Sequence, residues 1–213
     1  RHEQADLCTT THCQVWQSEA QMQQKWGSHY AAYHQKIEEA VNSTKGLIIT
    51  YQGQAISPVY HSTCGSKTEA AGDYWSKDVP YLQSVPCNCA KISPKAKSEL
   101  AYSYAELAEL LGQSEKAVAA MKVVQTSPNG RVQELQCGDV QLSGQKVREL
   151  LHLNSTDFAL HPTENGILFA VSGYGHGVGL CQYGANEYAK EGLSAEEIIY
   201  HYYTGVQIES ISS

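Results

Sequence analysis

The chain has 213 residues and a formal net charge of −7, with 15 lysine and arginine residues against 22 aspartate and glutamate residues. This length allows one sizeable hydrophobic core or two smaller lobes. The acidic balance and the lack of a long basic run argue against nucleic acid as a partner, because phosphate binding needs clustered lysine and arginine. The apolar runs fall well short of the roughly 20 residues that span a bilayer.

The first part of the sequence predicts an irregular loop, a helical stretch and a hairpin, in that order. Residues 1–16 have neither a helical nor an alternating period. Ser18 is suited to cap a helix whose register continues as far as residues 42–46, which end it. Two β-rich runs flank Gln52-Gly53, and this pattern predicts a hairpin.

The rest of the chain alternates loops, helices and strands. Residues 62–100 are rich in glycine and proline, and so long a loop in a compact domain is usually functional. The elements predicted after it are a helix following Ser103, a hairpin over 122–140 turning at Ser127–Gly130, a helix following Ser143, a strand over 167–171, helices over 182–191 and 194–203, and a strand over 206–208. Because no βαβ rhythm appears, we predict an α+β fold, a mostly antiparallel sheet with interleaved helices and long functional loops.

The first chemical constellation is a cluster of imidazoles and thiols in residues 1–16. Its members are His2, Cys8, His12 and Cys13. Tetrahedral zinc takes thiolate and imidazole ligands together, and an irregular loop allows the adjacent His12 and Cys13 to reach one ion. Four protein ligands leave no open position, so the metal would be structural or would shape a groove. A Cys8–Cys13 disulfide is the alternative.

The second constellation begins with Tyr60-His61-Ser62-Thr63-Cys64-Gly65 and continues through Glu69 and Trp75 to Tyr81. A neighbouring serine and histidine suggest a hydrolase. However, Ser62 directly follows His61, and neighbours in a strand point to opposite faces, so this serine is a poor nucleophile for that base. The chain also has no G-x-S-x-G elbow here. A polar loop with satisfied hydrogen bonds is the alternative.

The third constellation is the glycine-rich stretch Gly173–Gly179, which carries His176 at its centre. Its spacing does not match the G-x-G-x-x-G pattern of dinucleotide-binding loops, because Val178 occupies the position of the third glycine. Alternating glycines instead allow the backbone to pass close to another chain segment or a ligand. His176 is either presented at that crossing or is a buried, hydrogen-bonded imidazole.

Two long blocks of sequence resemble one known family. They are VYHSTCGSKTEAAGDYWSKDVPYLQSV and SGYGHGVGLCQYGANEYAKEGLSAEEIIYHYYTGVQI. Together with EAVNSTKGLIITY, they resemble the stage II sporulation protein D family, which is related to the amidase-enhancer domain. On this resemblance, residues 1–213 are expected to be the C-terminal portion of such a domain, with residues 1–16 as its zinc-binding loop.

The resemblance implies a lytic transglycosylase, a lyase that cleaves the bond between N-acetylmuramic acid and N-acetylglucosamine in peptidoglycan during engulfment. The muramic acid 6-hydroxyl replaces water as the nucleophile and leaves a 1,6-anhydro end, while one carboxylic acid serves as acid and then as base. In the family this acid is a glutamate on a helix that precedes the position of Arg1. We therefore expect no catalytic residue within this chain and no cleavage by this portion alone.

The resemblance also assigns seven side chains to a glycan-binding cleft. They are His61, Ser62, Thr63, Glu69, Tyr81, His176 and Gln182. The His61 loop and the His176 loop are expected to fold against each other as walls of that cleft. Tyr81 would stack on the glycan or hydrogen-bond to it, and Glu69 would orient its loop or bind sugar.

This chain differs from the family at Cys64 and Cys181, two positions where the family often has serine. If both line one cleft, they are placed to pair or react. Seven cysteines are an odd number, so at least one is free, bound to metal or paired elsewhere. The sequence leaves the states of Cys64, Cys87, Cys89, Cys137 and Cys181 open.

Some family members bind zinc at a cluster like the one in residues 1–16.

The partners implied by the resemblance are peptidoglycan glycan strands and other engulfment proteins. No nucleic acid is expected, and membrane contact is expected only through an anchor N-terminal to this chain. The implied location is extracytoplasmic, between the mother cell and forespore membranes. Two alternatives stay open: a non-catalytic glycan-binding amidase enhancer, and a zinc-stabilised interaction domain without a role in the cell wall.

Overall fold

The computed structural model describes residues 8–9 and 16–211 of a chain that divides into two units. One unit comprises Arg1–Leu47 with Ser210–Ser213, and the other comprises Ile48–Glu209. None of the described helices combines the length and the apolar character that a membrane span requires.

The smaller unit contains two helices, α1 (Glu19–Trp26) and α2 (Tyr30–Ser43). Ser18 caps α1 as predicted, because its hydroxyl accepts the backbone N–H of Gln21 while the Gln21 side chain accepts the backbone N–H of Ser18. The predicted helical register is not continuous, since a 3-10 turn at Gly27–His29 separates the helices. Gly27 has φ 51° and ψ −125°, a combination that residues other than glycine rarely adopt.

The strands of the structure form several small sheets. They are β1 (Leu47–Tyr51), β2 (Gln54–Ala55), β3 (Tyr60–His61), β4 (Lys97–Ser103), β5 (Lys122–Thr126), β6 (Val132–Cys137), β7 (Val140–Ser143), β8 (Phe158–Pro162), β9 (Gly166–Ser172), β10 (Leu180–Cys181) and β11 (Gln207–Ser210). The strand orders are β11–β1–β2, β4–β9–β8 and β5–β6–β7, and β3 pairs with β10. The β3–β10 pair is parallel, whereas β1–β2, β4–β9, β8–β9, β5–β6 and β6–β7 are antiparallel.

Helices lie between these strands in the chain. They are α3 (Ala71–Trp75), α4 (Tyr104–Leu111), α5 (Glu115–Ala119), α6 (Gly144–Leu150), α7 (Gln182–Lys190) and α8 (Ala195–Tyr202). The α+β fold with mostly antiparallel strands is therefore confirmed. Ser103, Ser143 and Ser194 are the N-caps of α4, α6 and α8, and each hydroxyl accepts a first-turn backbone N–H.

The stretch over 62–100 is more ordered than the sequence predicted. It contains α3, a 3-10 turn at Cys89–Lys91 and the beginning of β4. Both predicted hairpin turns are confirmed. Gln52 and Gly53 have φ angles of 51° and 73°, which suit a type I′ turn, and the Ser127–Gly130 turn joins β5 to β6.

The larger unit buries two apolar clusters. The helix-and-sheet core packs α4 and α6 against the long strands, and its fully buried members include Leu107, Leu135, Val147 and Phe169. The loop core is built mostly from connecting segments, and its buried members include Cys64, Ala71, Leu82, Cys87, Cys89, Val178, Cys181 and Tyr202. The residues predicted to form a site lie on the segments that build the loop core.

Candidate functional site

Two loops run side by side at the edge of the loop core. We call residues 60–70 the His61 loop and residues 173–179 the glycine loop. Thr63 and Tyr174 exchange backbone hydrogen bonds of 3.0 and 2.7 Å, and the Glu69 N–H donates to the Gly177 carbonyl at 2.8 Å. A Cβ added to Gly175, which has φ 111°, would lie only 2.8 Å from the His61 Cβ. The alternating glycines thus permit the close approach that the sequence predicted.

The His61 and His176 rings lie in contact, with centroids 5.5 Å apart. The Nδ1–H of His61 donates to the Val178 carbonyl at 3.1 Å, and its buried Nε2 has no hydrogen-bond partner among the described residues. His176 uses both nitrogens: Nε2–H donates to the Tyr60 carbonyl at 3.0 Å, and Nδ1 accepts the Val178 N–H at 3.1 Å. These contacts fix opposite tautomers in the two rings. They also agree with the alternative that His176 is a hydrogen-bonded structural imidazole.

Both imidazoles are neutral at neutral pH. Burial is the main cause in each case, since it disfavours the charged form. It lowers the pKa of His61 to about 3, with a further contribution from the neighbouring His176. Burial likewise lowers the pKa of His176 to about 4. Neither ring therefore supplies a cation to this site under ordinary conditions.

An exposed aromatic surface lies beside His176. Trp75 is the last residue of α3, and its ring centroid is 5.2 Å from that of His176 and 5.3 Å from that of Tyr74. Its side chain stays 42% exposed. The α3 carbonyls are held by side chains from other elements, because Gln133 donates to the Asp73 carbonyl at 3.1 Å and Gln145 donates to the Tyr74 carbonyl. These contacts fix the position of Trp75.

A cavity of ≈ 420 Å³ opens next to Trp75. This volume is within the range of small-ligand sites. Its lining includes Asp73, Gln133, Gln145 and Arg131, so hydrogen-bonding groups surround the space. The buried Nη1 of Arg131 and the buried hydroxyl of Thr156, which also lines the cavity, have no hydrogen-bond partner among the described residues.

Glu69 lies in the wall of this cavity and is buried. Its Oε2 is 3.3 Å from Arg131 Nε and accepts the Ser127 hydroxyl at 3.0 Å, while its Oε1 accepts the Asn129 amide at 3.2 Å. Burial raises the pKa of the Glu69 carboxyl, and these three contacts oppose that shift. Because both oxygens are already engaged, the carboxylate holds the His61 loop to the β5–β6 turn.

The other predicted site residues have different surroundings. Ser62 and Thr63 are next to His61 in the chain, and the Thr63 hydroxyl lies 2.7 Å from that of Ser93. Tyr81 packs against Tyr51 at 5.5 Å, and its hydroxyl accepts the Ser57 N–H at 3.0 Å. Gln182 is the exposed first residue of α7. The structure therefore groups His61, Ser62, Thr63 and His176, with Glu69 in the adjoining cavity wall. It gives Tyr81 other contacts and places Gln182 at the surface, at the start of α7. Glycan binding by all seven stays a prediction.

Four buried cysteines, one of them in the His61 loop, lie close together in the loop core. This four-cysteine cluster consists of Cys64, Cys87, Cys89 and Cys181, whose sulfur atoms all lie within 4.8 Å of one another. It was not predicted as a group, because its members come from three distant chain segments. The only signal in the sequence was the pair Cys64 and Cys181, at positions where the family often has serine.

Comparison with known proteins gives a consistent picture. A family model described as "Stage II sporulation protein" matches residues 1–51, and a domain of unknown function, DUF8618, matches residues 94–179. Stage II sporulation protein D of Bacillus subtilis (strain 168) is 39% identical over 196 residues, which are 92% of this chain and 57% of that protein. The chain belongs to the stage II sporulation protein D family.

Two further relatives extend the comparison. Stage II sporulation protein D of Bacillus amyloliquefaciens is 37% identical over 201 residues, covering 94% of this chain and 58% of that protein. The amidase enhancer of Bacillus subtilis (strain 168) is 24% identical over 235 residues, covering 84% of this chain and 33% of that protein. The chain thus spans less than two thirds of the length of each of these relatives.

The predicted zinc ligands near the N-terminus fall within the stretch matched by the stage II sporulation model. His2, His12 and Cys13 lie outside the described residues, and Cys8 is the member of this set that the structure describes. Zinc at this position stays a prediction. The sequence does not identify Tyr74, Trp75 or Arg131 as site residues, although Trp75 lies in the second constellation.

Proposed function

We propose that the protein cleaves peptidoglycan glycan strands during sporulation as a lytic transglycosylase, and that this chain forms its glycan-binding part. The observation that carries the proposal is the cavity beside the exposed Trp75. Sugar rings have apolar faces that pack against aromatic rings and hydroxyl groups that need hydrogen-bond partners. Trp75 supplies an aromatic surface, while Gln133 and Gln145 belong to the polar lining.

The proposed reaction consumes no water. The 6-hydroxyl oxygen of N-acetylmuramic acid forms a bond to C1 of the same sugar as the bond from C1 to the glycosidic oxygen breaks. One carboxyl group gives its proton to the departing oxygen and then takes the proton of the 6-hydroxyl. Following the family resemblance, we assign this role to a glutamate N-terminal to the present chain.

The described residues favour binding and orientation as the role of this portion. His61 and His176 are neutral imidazoles, and the oxygens of Glu69 already accept hydrogen bonds from Ser127 and Asn129 and face Arg131. A general acid needs a proton that it can release toward the leaving oxygen. These three side chains are therefore better suited to shape the cleft than to donate that proton.

A second candidate is a non-catalytic amidase enhancer that binds glycan and stimulates a separate hydrolase. It is favoured by the 24% identity to a protein named amidase enhancer over 84% of this chain. On either proposal the partners are glycan strands, and on the first they include other engulfment proteins. The proposed location is extracytoplasmic, between the mother cell and forespore membranes, with zinc bound by His2, Cys8, His12 and Cys13.

The deciding experiment uses the full-length protein and purified glycan strands stripped of peptide stems. Mass spectrometry of the products should show 1,6-anhydro-muramic acid ends. Free reducing ends would instead identify hydrolysis and contradict the transglycosylase proposal. Binding without any cleavage, combined with faster release of peptides by an added amidase, would favour the enhancer.

The binding role of this chain is tested by replacing Trp75. Trp75→Ala should weaken glycan binding in co-sedimentation about five- to tenfold, equal to about 1 kcal/mol, because an aromatic contact is lost. Trp75→Phe should retain most of the affinity. Trp16→Ala is the matched control, since Trp16 is also exposed but belongs to the smaller unit. If Trp75→Ala and the unchanged protein bound glycan with equal affinity, the cavity beside Trp75 would not be the glycan-binding site.

A further inference from the structure

The spacing of the four-cysteine cluster matches ligands arranged around one ion. Zinc binds thiolate sulfur at about 2.3 Å with tetrahedral geometry, which separates the sulfurs by about 3.8 Å. In the structure all four sulfurs lie within 4.8 Å of one another, and those of Cys64 and Cys89 are 3.4 Å apart. A cluster of two or four irons would hold the thiolates further apart, because they would bind different iron atoms. A single tetrahedral ion therefore fits the arrangement better.

Disulfides are the main alternative for buried cysteines outside the cytoplasm. Two disulfides would divide the four sulfurs into two bonded pairs at about 2.05 Å. The structure instead keeps every sulfur near the other three, and it records Cys64, Cys87, Cys89 and Cys181 as unpaired by disulfides. Four ligands of one metal ion must all lie close to one another, whereas two disulfides require only that each sulfur lie close to its own partner.

Groups around the cluster stabilise negative charge on sulfur. The Tyr202 hydroxyl lies 3.2 Å from the Cys87 sulfur and donates a hydrogen bond to it when that sulfur is a thiolate. The guanidinium group of Arg131 donates to the Cys64 carbonyl at 2.9 Å, which brings a buried cation close to the same segment. A divalent ion would neutralise half of the charge of four thiolates, and these neighbours offset part of the remainder.

The start of α7 also faces the cluster. Cys181 is the N-cap residue of this helix, so the partial positive charge of the first turn lies beside its side chain. The helix approaches closely because Gly184 has no side chain, and a Cβ there would collide with the Cys87 sulfur and the Tyr202 hydroxyl. Gly184 thus leaves room for the thiol and its hydrogen-bond donor.

We propose that the four-cysteine cluster binds one zinc ion in a closed tetrahedral site. Four sulfur ligands leave no open coordination position, so this ion is structural. It ties together the His61 loop, the segment around the 3-10 turn Cys89–Lys91 and the end of β10. The site is separate from the zinc site predicted in residues 1–16, and its existence does not depend on the proposed cell-wall activity.

The test uses the full-length protein carrying Cys8→Ser and Cys13→Ser, which remove the thiol ligands of the N-terminal site. Elemental analysis of the protein, purified without chelator, should find one zinc per chain. Adding Cys89→Ser should abolish most of this zinc. Adding Cys137→Ser should leave it unchanged, because Cys137 is equally buried but belongs to the helix-and-sheet core.

A spectroscopic readout covers the case in which Cys89→Ser does not fold. Refolding the Cys8→Ser, Cys13→Ser protein with Co²⁺ should give the sulfur-to-cobalt charge-transfer absorption and the intense visible bands of a tetrahedral thiolate site. Denaturation without reductant, in the presence of chelator, should leave all five of the remaining cysteines of residues 1–213 reactive as thiols, as identified by peptide mapping. If Cys137 alone among these five reacted, the other four would form two disulfides, and the proposal would be overturned. The proposal would also be overturned if all five cysteines were thiols but the folded protein took up neither zinc nor cobalt. Iron found in place of zinc would overturn it as well.

Discussion

The helix-and-sheet core and the loop core are stabilised in different ways. In the first, β4 and β9 pair over seven consecutive residues, and buried side chains of α4 and α6, such as Leu107, join strand residues such as Phe169 in one apolar cluster. In the second, β3 and β10 are two residues long, and isolated bridges such as Thr63 with Tyr174 replace continuous ladders. Regular structure and apolar packing provide most of the stabilisation of the first core, whereas single polar contacts provide a larger part of it in the second.

The side chains predicted to line the glycan cleft lie mostly with the less regular core. His61, Glu69 and His176 belong to loops that other segments must hold in place, because loops lack the repeated hydrogen bonds of a sheet. A cleft wall made in this way is shaped by individual contacts. The loop core should therefore respond strongly to the loss of one polar partner, and changes confined to its edge should have small effects.

The largest effect is expected from Arg131→Met, which breaks the buried contact between Arg131 and Glu69. Removing one member of a buried ion pair leaves the other charge uncompensated and typically costs about 3–5 kcal/mol. We expect a loss of this size in the free energy of unfolding measured with urea at pH 7. Because burial already raises the pKa of Glu69, the loss should be smaller at acidic pH, where that carboxyl is protonated.

The double variant Glu69→Gln, Arg131→Met is the matched control. It removes both charges, so it should recover part of the stability that Arg131→Met loses. If the single and double variants are equally unstable, the buried charge of Glu69 is not the cause. If Arg131→Met lowered the free energy of unfolding by less than about 1 kcal/mol, this contact would contribute no more than an ordinary surface ion pair.

Elements with a local signal were predicted from the sequence. The Gln52-Gly53 and Ser127–Gly130 turns and the caps at Ser103 and Ser143 depend on a few neighbouring residues, and the structure confirms them. The sequence predicts a long loop where β4 begins, because the pairing of β4 with β9 joins residues far apart in the chain and leaves no local pattern. The parallel β3–β10 pair is too short to leave any pattern.

The site shows the same division between local and distant information. The alternating glycines around His176 predict a close approach to another segment, and the family resemblance implies that this segment is the His61 loop, as the structure shows. The four-cysteine cluster was not predicted, since Cys87 and Cys89 are separated by one residue while Cys64 and Cys181 lie far away along the chain. That spacing matches no common zinc motif. Folding, rather than sequence order, brings these ligands together.

A smaller effect is expected from the titration of His176. Its pKa is lowered to about 4, mainly by burial, so as the pH falls the unfolded chain binds the proton first. The stabilisation from the neutral imidazole is complete above about pH 6.5 and is lost as the pH falls from there toward the folded pKa. Between pH 7 and pH 5, this histidine should reduce the free energy of unfolding by up to about 2 kcal/mol.

Urea unfolding of His176→Asn over this pH range isolates the contribution. The variant has lower stability at pH 7 because it loses the contacts to Tyr60 and Val178, but its stability should fall less steeply toward pH 5. His161→Asn is the control for replacing a histidine as such, since His161 is exposed on β8. Parallel curves for the unchanged protein and His176→Asn would mean that another group produces the acid sensitivity.

The smallest effect is expected at the β1–β2 turn, on the edge of the loop core. Gln52 adopts φ 51° before Gly53, and asparagine tolerates that left-handed conformation better than glutamine. Gln52→Asn should therefore raise the free energy of unfolding by a few tenths to about 1 kcal/mol. Gln54→Asn, in the neighbouring strand, should be neutral or slightly destabilising because asparagine is disfavoured in strands.

The way this gain appears would show whether the hairpin unfolds with the loop core. Ile49 and Tyr51 of β1 pack against that core, so a cooperative unit should show the gain in global unfolding. If only amide exchange near the turn slows, for example at the Ile56 N–H that donates to the Ile49 carbonyl, the hairpin opens independently. In that case the side chains that Tyr81 contacts, including Tyr51, would loosen without disturbing His61 and His176, and the loop core would consist of two separately stable parts.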